Sequence, residues 1–269
     1  MLHRELIRIC QLFLILPPSL LLILSVHFLA DFHLWPGSPD VKKHPCFRCL
    51  LPHFGMYSLI LGLIFILCVS FPSAVIAWMF IILSHFITDV LTFHYYTRNH
   101  ISPRSQLTAF CTSQLIHTAS ILAGSCFFHL PENLTETFKS LCIQVPLLQN
   151  MRYLLLVILL LTPASQFVKM LTASISLQKN PDSPKSNDSS AGSMIGKLER
   201  LIIAMLVIYG EAGAIGFVLA AKSLARYKQF EDQDFTEKFL VGTLASAAIA
   251  IALTLFLIEN QKPSAPLML

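Results

Sequence analysis

Two His-x-x-x-Asp pairs stand in the first half of the chain and could bind a metal ion. They are His27 with Asp31 in HFLAD, and His85 with Asp89 in HFITD. In a helix, residues four apart share a face, so each pair can direct an imidazole and a carboxylate at one point. Neutral imidazole and carboxylate are good ligands for zinc, and they also suit iron and manganese. The pairs therefore indicate a site for a divalent metal.

Three further side chains extend this set: His53, and Gln114 with His117 in QLIH. If the first four predicted helices alternate in direction, all these residues lie toward one membrane face. We therefore predict a single cluster near the membrane rim, in which Gln114 supports the metal ligands. That many ligands would also suit two ions, which favour hydrolysis of a phosphate or an amide. The predicted ligands are His27, Asp31, His53, His85, Asp89 and His117.

The same residues allow two interpretations that need no metal. A buried network of His–Asp hydrogen bonds could fix helix packing in a membrane scaffold or accessory protein. Alternatively, His85, Asp89 and Glu211 could carry protons in a proton- or cation-coupled transporter. The hydrolase needs the side chains to converge, whereas the scaffold would bond each of them locally to backbone. The transporter would need polar residues that continue toward the middle of the membrane.

A second candidate is the Cys46-x-x-Cys49 element, which is flanked by His44 and His53. Such an element could bind zinc or cycle as a dithiol. It occurs once, and no second cysteine pair completes a four-cysteine site. The role of Cys46 and Cys49 therefore stays open.

The composition predicts the elements that must position these residues. Hydrophobic residues make up 55% of the 269 residues, charged residues 13%, and the mean hydropathy is +0.66. Soluble domains carry about a quarter charged residues. The apolar residues form blocks of about 20, the length of a membrane-spanning helix. We therefore predict an all-α, polytopic integral membrane helix bundle with about seven transmembrane helices. The predicted partner is the lipid bilayer; the net charge of +4 is no argument for nucleic acid, and protein partners stay open.

The predicted spans fall into two groups. Residues 1–177 form a five-helix transmembrane domain that carries the His/Asp cluster, and residues 194–269 form a two-helix transmembrane C-terminal region. Between them, residues 178–193 have no large apolar side chain, which predicts a flexible polar linker. The predicted helices cover residues 9–30, 54–69, 74–92, 106–128, 153–175, 194–221 and 239–258, and a mixed interfacial segment covers 131–149.

The order of these motifs resembles an uncharacterised bacterial membrane family, a domain of unknown function. VHFLADF, HFITD and SQLIH carry the resemblance in the first half, and GKLERLII, EAGAIGFVLAAKSLARYK and EKFLVGTLASAAIA carry it in the second. The resemblance implies a multi-pass protein of the bacterial inner (plasma) membrane. The chain departs from the family pattern at Ser113, where an aspartate is usual, and at His33-Leu34-Trp35.

More distantly, the His/Asp layout is similar to that of membrane-bound metal-dependent hydrolases. This similarity implies that the predicted ligands hold one or two ions and that a bound water is the nucleophile. It also suggests Glu199 as a general base; other catalytic residues are unknown.

Overall fold

The computed structural model describes residues 16–34, 47–98, 102–144, 147–175 and 190–258. Within these residues the regular structure is helical, with one isolated bridge between Val69 and Leu134 and no strand. The predicted all-α class is therefore confirmed. The helices are α1 (Pro18–Leu29, continued by a π-helical turn, Ala30–Leu34), α2 (Phe47–Cys68), α3 (Ser73–Arg98), α4 (Pro103–Phe127), α5 (Glu136–Gln144), α6 (Leu147–Ile175), α7 (Ser190–Tyr209), α8 (Ala212–Leu224) and α9 (Gln233–Leu257), with a 3₁₀ turn at Tyr227–Glu231.

Among the described residues, four helical segments are long and apolar enough to cross a membrane. Their outer surfaces carry large apolar side chains, such as Leu59 at 75% exposure and Ile66 at 72%. Lipid accepts such side chains, whereas a soluble protein avoids large exposed apolar patches. The chain is therefore a membrane protein, and the count of seven spans stays a prediction. The four segments are Leu50–Cys68, Ser73–Thr97, Gln149–Ile175 and Gln233–Leu257, and two shorter apolar helices are Pro18–Leu34 and Ala212–Leu224.

Contacts between the helices divide the chain into two compact units. The first comprises Met1–Ile101 and Thr108–Leu155, and the second comprises Ser102–Leu107 and Leu156–Leu269. The predicted division around residues 178–193 stays a prediction, because most of that segment lies outside the described residues.

In the first unit, two helices are longer than the sequence predicts. α2 begins at Phe47, earlier than the predicted 54, and α3 continues to Arg98, beyond the predicted 92. Apolar length alone underestimates these helices, because their ends extend past the apolar block. Close packing joins α2 to α3: the Trp78 indole N–H donates to the Ser58 carbonyl at 3.1 Å, and a Cβ at Gly62 would lie 3.0 Å from that nitrogen.

In the second unit the prediction of one helix over 194–221 is wrong. The helix begins at Ser190, within the predicted linker, and ends at Tyr209. Gly210 has φ +77°, and the Glu211 N–H bonds to the Leu206 carbonyl at 2.8 Å while the Gly210 N–H bonds to Val207 at 3.1 Å. This is the Schellman pattern that ends a helix at a glycine. Glu211 is therefore an exposed residue at a helix break.

Buried charges join the helices of the second unit. Arg200 on α7 is 2% exposed, and its guanidinium bonds to groups on α6 and α9. Glu199, next to it in sequence, is 5% exposed and pairs with Lys222 of α8. Charged groups in a membrane protein need such pairing because lipid does not solvate them.

Candidate functional site

The predicted metal ligands lie together in the first unit. They come from the end of α1 and the π-helical turn after it, the first turns of α2, and the middle of α3 and of α4. This is the arrangement expected of antiparallel neighbours whose polar residues lie at one common end. All the members belong to the first compact unit, and their side chains converge.

Asp31 is presented by the π-helical turn that follows α1. A π turn inserts one extra residue into the helix and changes the direction of the following side chains, and such turns are frequent at functional sites. The Asp31 carboxylate lies with Oδ1 3.3 Å from His53 Nε2 and 3.7 Å from His85 Nε2. Its other oxygen accepts a hydrogen bond from Gln114 Nε2 at 3.0 Å. Gln114 is thus a hydrogen-bond neighbour of a predicted ligand, and its role in supporting a metal site stays a prediction.

Asp89 is the second carboxylate of the cluster. Its Oδ2 lies 3.2 Å from His85 Nδ1 and 3.8 Å from His53 Nε2. Its Oδ1 lies 3.5 Å from His117 Nε2. The two aspartates therefore face the same group of imidazoles from two helices.

His85 is the centre of the stacked rings. Its imidazole lies between the Tyr57 ring, with centroids 3.9 Å apart, and the His117 ring, with centroids 4.1 Å apart. Tyr57 also places its hydroxyl 3.0 Å from His27 Nδ1 and is 1% exposed. Sequence reasoning missed Tyr57. A signal was present, because Tyr57 follows His53 by one helical turn on α2 and so shares its face.

Several buried ring nitrogens of this cluster make no hydrogen bond. Burying a polar atom without such a bond costs about 1–3 kcal/mol, so native structures rarely leave several together. His85 Nδ1 lies near Asp89 but is not aligned to donate to it. A cation that accepts a lone pair would satisfy one nitrogen of each ring, and the other nitrogen, which carries the proton, would donate to an acceptor such as a carboxylate. The atoms are His27 Nε2, His53 Nδ1, His85 Nδ1 and Nε2, and His117 Nδ1 and Nε2.

In the part of the chain that the structure describes, three overlapping groups of side chains could hold a metal ion. In each group, one ligand atom per residue lies within 4.8 Å of the others. His85 belongs to two of the groups, and so does each of Asp31 and His117. The residues present therefore fit the donor set of a divalent metal. The groups are His27/Asp31/His117, Asp31/His53/His85 and His85/Asp89/His117.

The other candidate residues lie elsewhere. Glu199 belongs to the second unit, where Lys222 pairs with one carboxylate oxygen and the other is buried. Its role as a general base stays a prediction, as does the proton relay that includes Glu211. Cys46 and Cys49 stay open because Cys46 and the Cys49 side chain lie outside the described part of the chain.

A helical membrane protein with a buried His/Asp cluster is the class that the fold and site define. Residues 19–145 match a family model described as "Protein of unknown function (DUF3307)". The matched stretch contains the whole cluster, from His27 to His117. This agrees with the resemblance to a domain of unknown function. No curated protein and no solved structure matches the chain.

Proposed function

We propose that this protein is a metal-dependent hydrolase of the bacterial inner membrane, with one or two divalent ions held by the His/Asp cluster. The observation that supports the proposal is the set of buried imidazole nitrogens that face two carboxylates and make no hydrogen bond. A helix-packing network would instead use those nitrogens in bonds. The distant similarity to membrane-bound metal-dependent hydrolases supports the reaction class.

Each ion, which would be zinc, iron or manganese, would be held by ligands from one or more of the three overlapping groups. A divalent ion held there would supply a nucleophilic water at neutral pH and polarise the scissile bond. Catalysis otherwise depends on how rigidly the chain holds its ligands. Four helices provide them, and helix-borne ligands keep their geometry better than loop-borne ones.

Neighbouring side chains orient the ligands. Gln114 donates to one oxygen of Asp31, which leaves the other oxygen facing His53 and His85. When the His27 ring donates its Nδ1–H to the Tyr57 hydroxyl, the Nε2 lone pair is left to face the cluster. Groups of this kind fix the tautomer and ring orientation of a ligating histidine.

Metal content of the detergent-purified protein tests the proposal. We expect about one or two equivalents of zinc, iron or manganese by mass spectrometry. The double variant His27→Ala/Asp89→Ala should lose the metal, since it damages two of the three groups. Cys46→Ser/Cys49→Ser is the control and should keep it. A folded protein that stays metal-free after metal is added back would contradict the hydrolase and support the scaffold.

Tyr57→Phe should weaken metal binding without abolishing it. The variant keeps the ring that stacks on His85 and removes only the hydroxyl that holds His27 Nδ1. Loss of such an orienting group lowers metal affinity by about 10-fold or more. Competition with a fluorescent chelator measures the change. Tyr95→Phe on α3 is the matched control, because Tyr95 is 43% exposed and outside the cluster. If Tyr57→Phe and Tyr95→Phe bound the metal with equal affinity, Tyr57 would not orient a metal ligand.

A further inference from the structure

We infer that the substrate is a lipid of the bilayer, whose ester bond lies at the boundary between headgroup and acyl chains. This inference rests on the proposed hydrolase and names its substrate class. Three features of the first unit carry it: the depth of the cluster along the apolar segments, the side chains that surround it at that depth, and those that separate it from the helix ends.

Three members of the cluster, His53, His85 and Asp89, lie inside segments that are apolar enough to span a membrane. Asp89 precedes the end of the segment Ser73–Thr97 by eight residues, which is about 12 Å of helix at 1.5 Å per residue. His53 follows the start of the segment Leu50–Cys68 by three residues, or about 4.5 Å. The polar headgroup region on each side of the hydrocarbon is several Å thick. The segment Ser73–Thr97 has 25 residues, or about 37 Å of helix, which exceeds the hydrocarbon thickness of about 30 Å. Its ends therefore reach into the headgroup region, and Asp89 lies about 8 Å inside the hydrocarbon boundary, where it can meet the ester bonds of a lipid.

Apolar side chains surround the cluster at its own level. Ile87 and Leu91, on either side of Asp89 in sequence, are 48% and 64% exposed. On α4, Leu115 and Ile116, next to Gln114, are 71% and 42% exposed. Several large apolar side chains exposed side by side suit contact with hydrocarbon, because their exposure to water would be unfavourable in free energy. The surfaces of α3 and α4 beside the cluster are therefore suited to contact with lipid.

An apolar collar separates the cluster from the helix ends. On α3, Phe93 and Tyr96 follow Asp89 by four and seven residues and so lie on its face of the helix. On α4, Phe110 precedes Gln114 by four residues, and it contacts Phe32 edge to face at 6.1 Å between centroids. Leu34 and Leu50 occupy the corresponding positions on α1 and α2. Apolar side chains thus line the approach from the helix ends, and an acyl chain can pack against them.

The carboxylates are the accessible part of the cluster. The side chains of Asp31 and Asp89 are 13% and 19% exposed, while those of His53, His85 and His117 are 2–4% exposed. A substrate therefore approaches the cluster from the side of Asp31 and Asp89, and its apolar chains lie along the apolar collar. Hydrolysis needs only water as co-reactant. The water oxygen bonds to the acyl carbon or phosphorus, the ester bond to the leaving oxygen breaks, and the leaving oxygen takes a proton.

Hydrolysis assays on the full chain test the substrate class. The zinc-loaded protein is placed in nanodiscs of phosphatidylethanolamine and phosphatidylglycerol, and the lipids are analysed by mass spectrometry. We expect cleavage products from the bilayer lipids, and at least 10-fold slower cleavage of water-soluble p-nitrophenyl acetate and bis-p-nitrophenyl phosphate at equal concentration. The variant His85→Ala is the inactive reference. Cleavage of the soluble esters alone would overturn the lipid assignment and leave the proposed hydrolase standing.

Photo-crosslinking supplies a readout that does not depend on activity. A phospholipid with a diazirine beside its headgroup should label residues 87–91 and 115–116. One with a diazirine at the end of its acyl chain should label Met79 and Phe80, ten residues or about 15 Å deeper on α3. Both side chains are exposed, at 54% and 39%. If a water-soluble diazirine labels residues 87–91 and the headgroup probe does not, the site faces water and the inference is wrong.

The two assays separate the possible failures. If the protein binds no metal, the proposed function fails before any lipid is tested. If it binds metal and neither lipids nor soluble esters are cleaved, the hydrolase and its lipid substrate are both wrong. If it binds metal and cleaves lipids, and headgroup probes label residues 87–91, both proposals stand.

Discussion

The variant His85→Ala is expected to lower the affinity for zinc by more than about 100-fold, which exceeds the loss expected for a group that only orients a ligand. His85 belongs to two of the three ligand groups, so only His27/Asp31/His117 stays complete without it. Its ring also lies between Tyr57 and His117, and its loss frees both from their stacking contacts. The remaining ligands would thus be fewer and less well oriented.

A comparison with His53→Ala sharpens this prediction. His53 belongs to one group, so its loss leaves two groups complete, and metal affinity should fall by clearly less than for His85→Ala. His94→Ala is the matched control for His85→Ala, because His94 is an exposed histidine farther along α3, the helix that carries His85. Chelator competition gives the affinities, and size-exclusion chromatography verifies folding. If His85→Ala bound zinc as tightly as His94→Ala, the cluster would not be the metal site.

The position of the cluster follows from the sequence for a simple physical reason. Helical periodicity relates His85 to Asp89 and His27 to Asp31. Membrane helices also reverse direction at each short connection, so residues near alternate ends must meet. These two rules bring together residues as far apart as 27 and 117 without knowledge of the packing. The stretch from 19 to 145 that matches the family model contains all of them.

The finer geometry could not be predicted, because it depends on packing. The sequence does not distinguish Tyr57 from any other aromatic residue of a helix core. Only the orientation of α2 about its axis in the structure shows that the Tyr57 hydroxyl contacts His27. The π turn that presents Asp31 has no sequence signal that we recognise. Gly210 suits close helix packing and a helix end equally well, and the local backbone decides for the helix end. The bonds of Arg200 were likewise missed, since a charge near a predicted helix start is usually assigned to the membrane surface.

Arg200 holds three helices of the second unit together. Its Nε donates to the Leu160 carbonyl at 2.7 Å, and one terminal nitrogen donates to the Leu161 carbonyl at 3.2 Å and to the Ser165 hydroxyl. The other terminal nitrogen donates to the Ser246 hydroxyl of α9 at 3.2 Å. These acceptors on α6 surround Pro163, which lacks an N–H and crowds the preceding turn of its helix. A planar guanidinium with several fixed donors can serve all of them.

The variant Arg200→Leu should therefore destabilise the protein by about 3 kcal/mol, since each buried hydrogen bond in a membrane protein contributes about 0.6–1 kcal/mol. Arg200→Lys should recover only part of this, because an ammonium is a point charge that cannot form the same fork of bonds. Unfolding in mixed micelles of increasing SDS content measures the free energy of unfolding. Arg226→Leu makes the same change at a partly exposed position of the second unit and is the control. Equal unfolding free energies for Arg200→Leu and Arg226→Leu would show that the guanidinium bonds contribute nothing, whereas the expected gap would make α7 the element that joins α6 to α9.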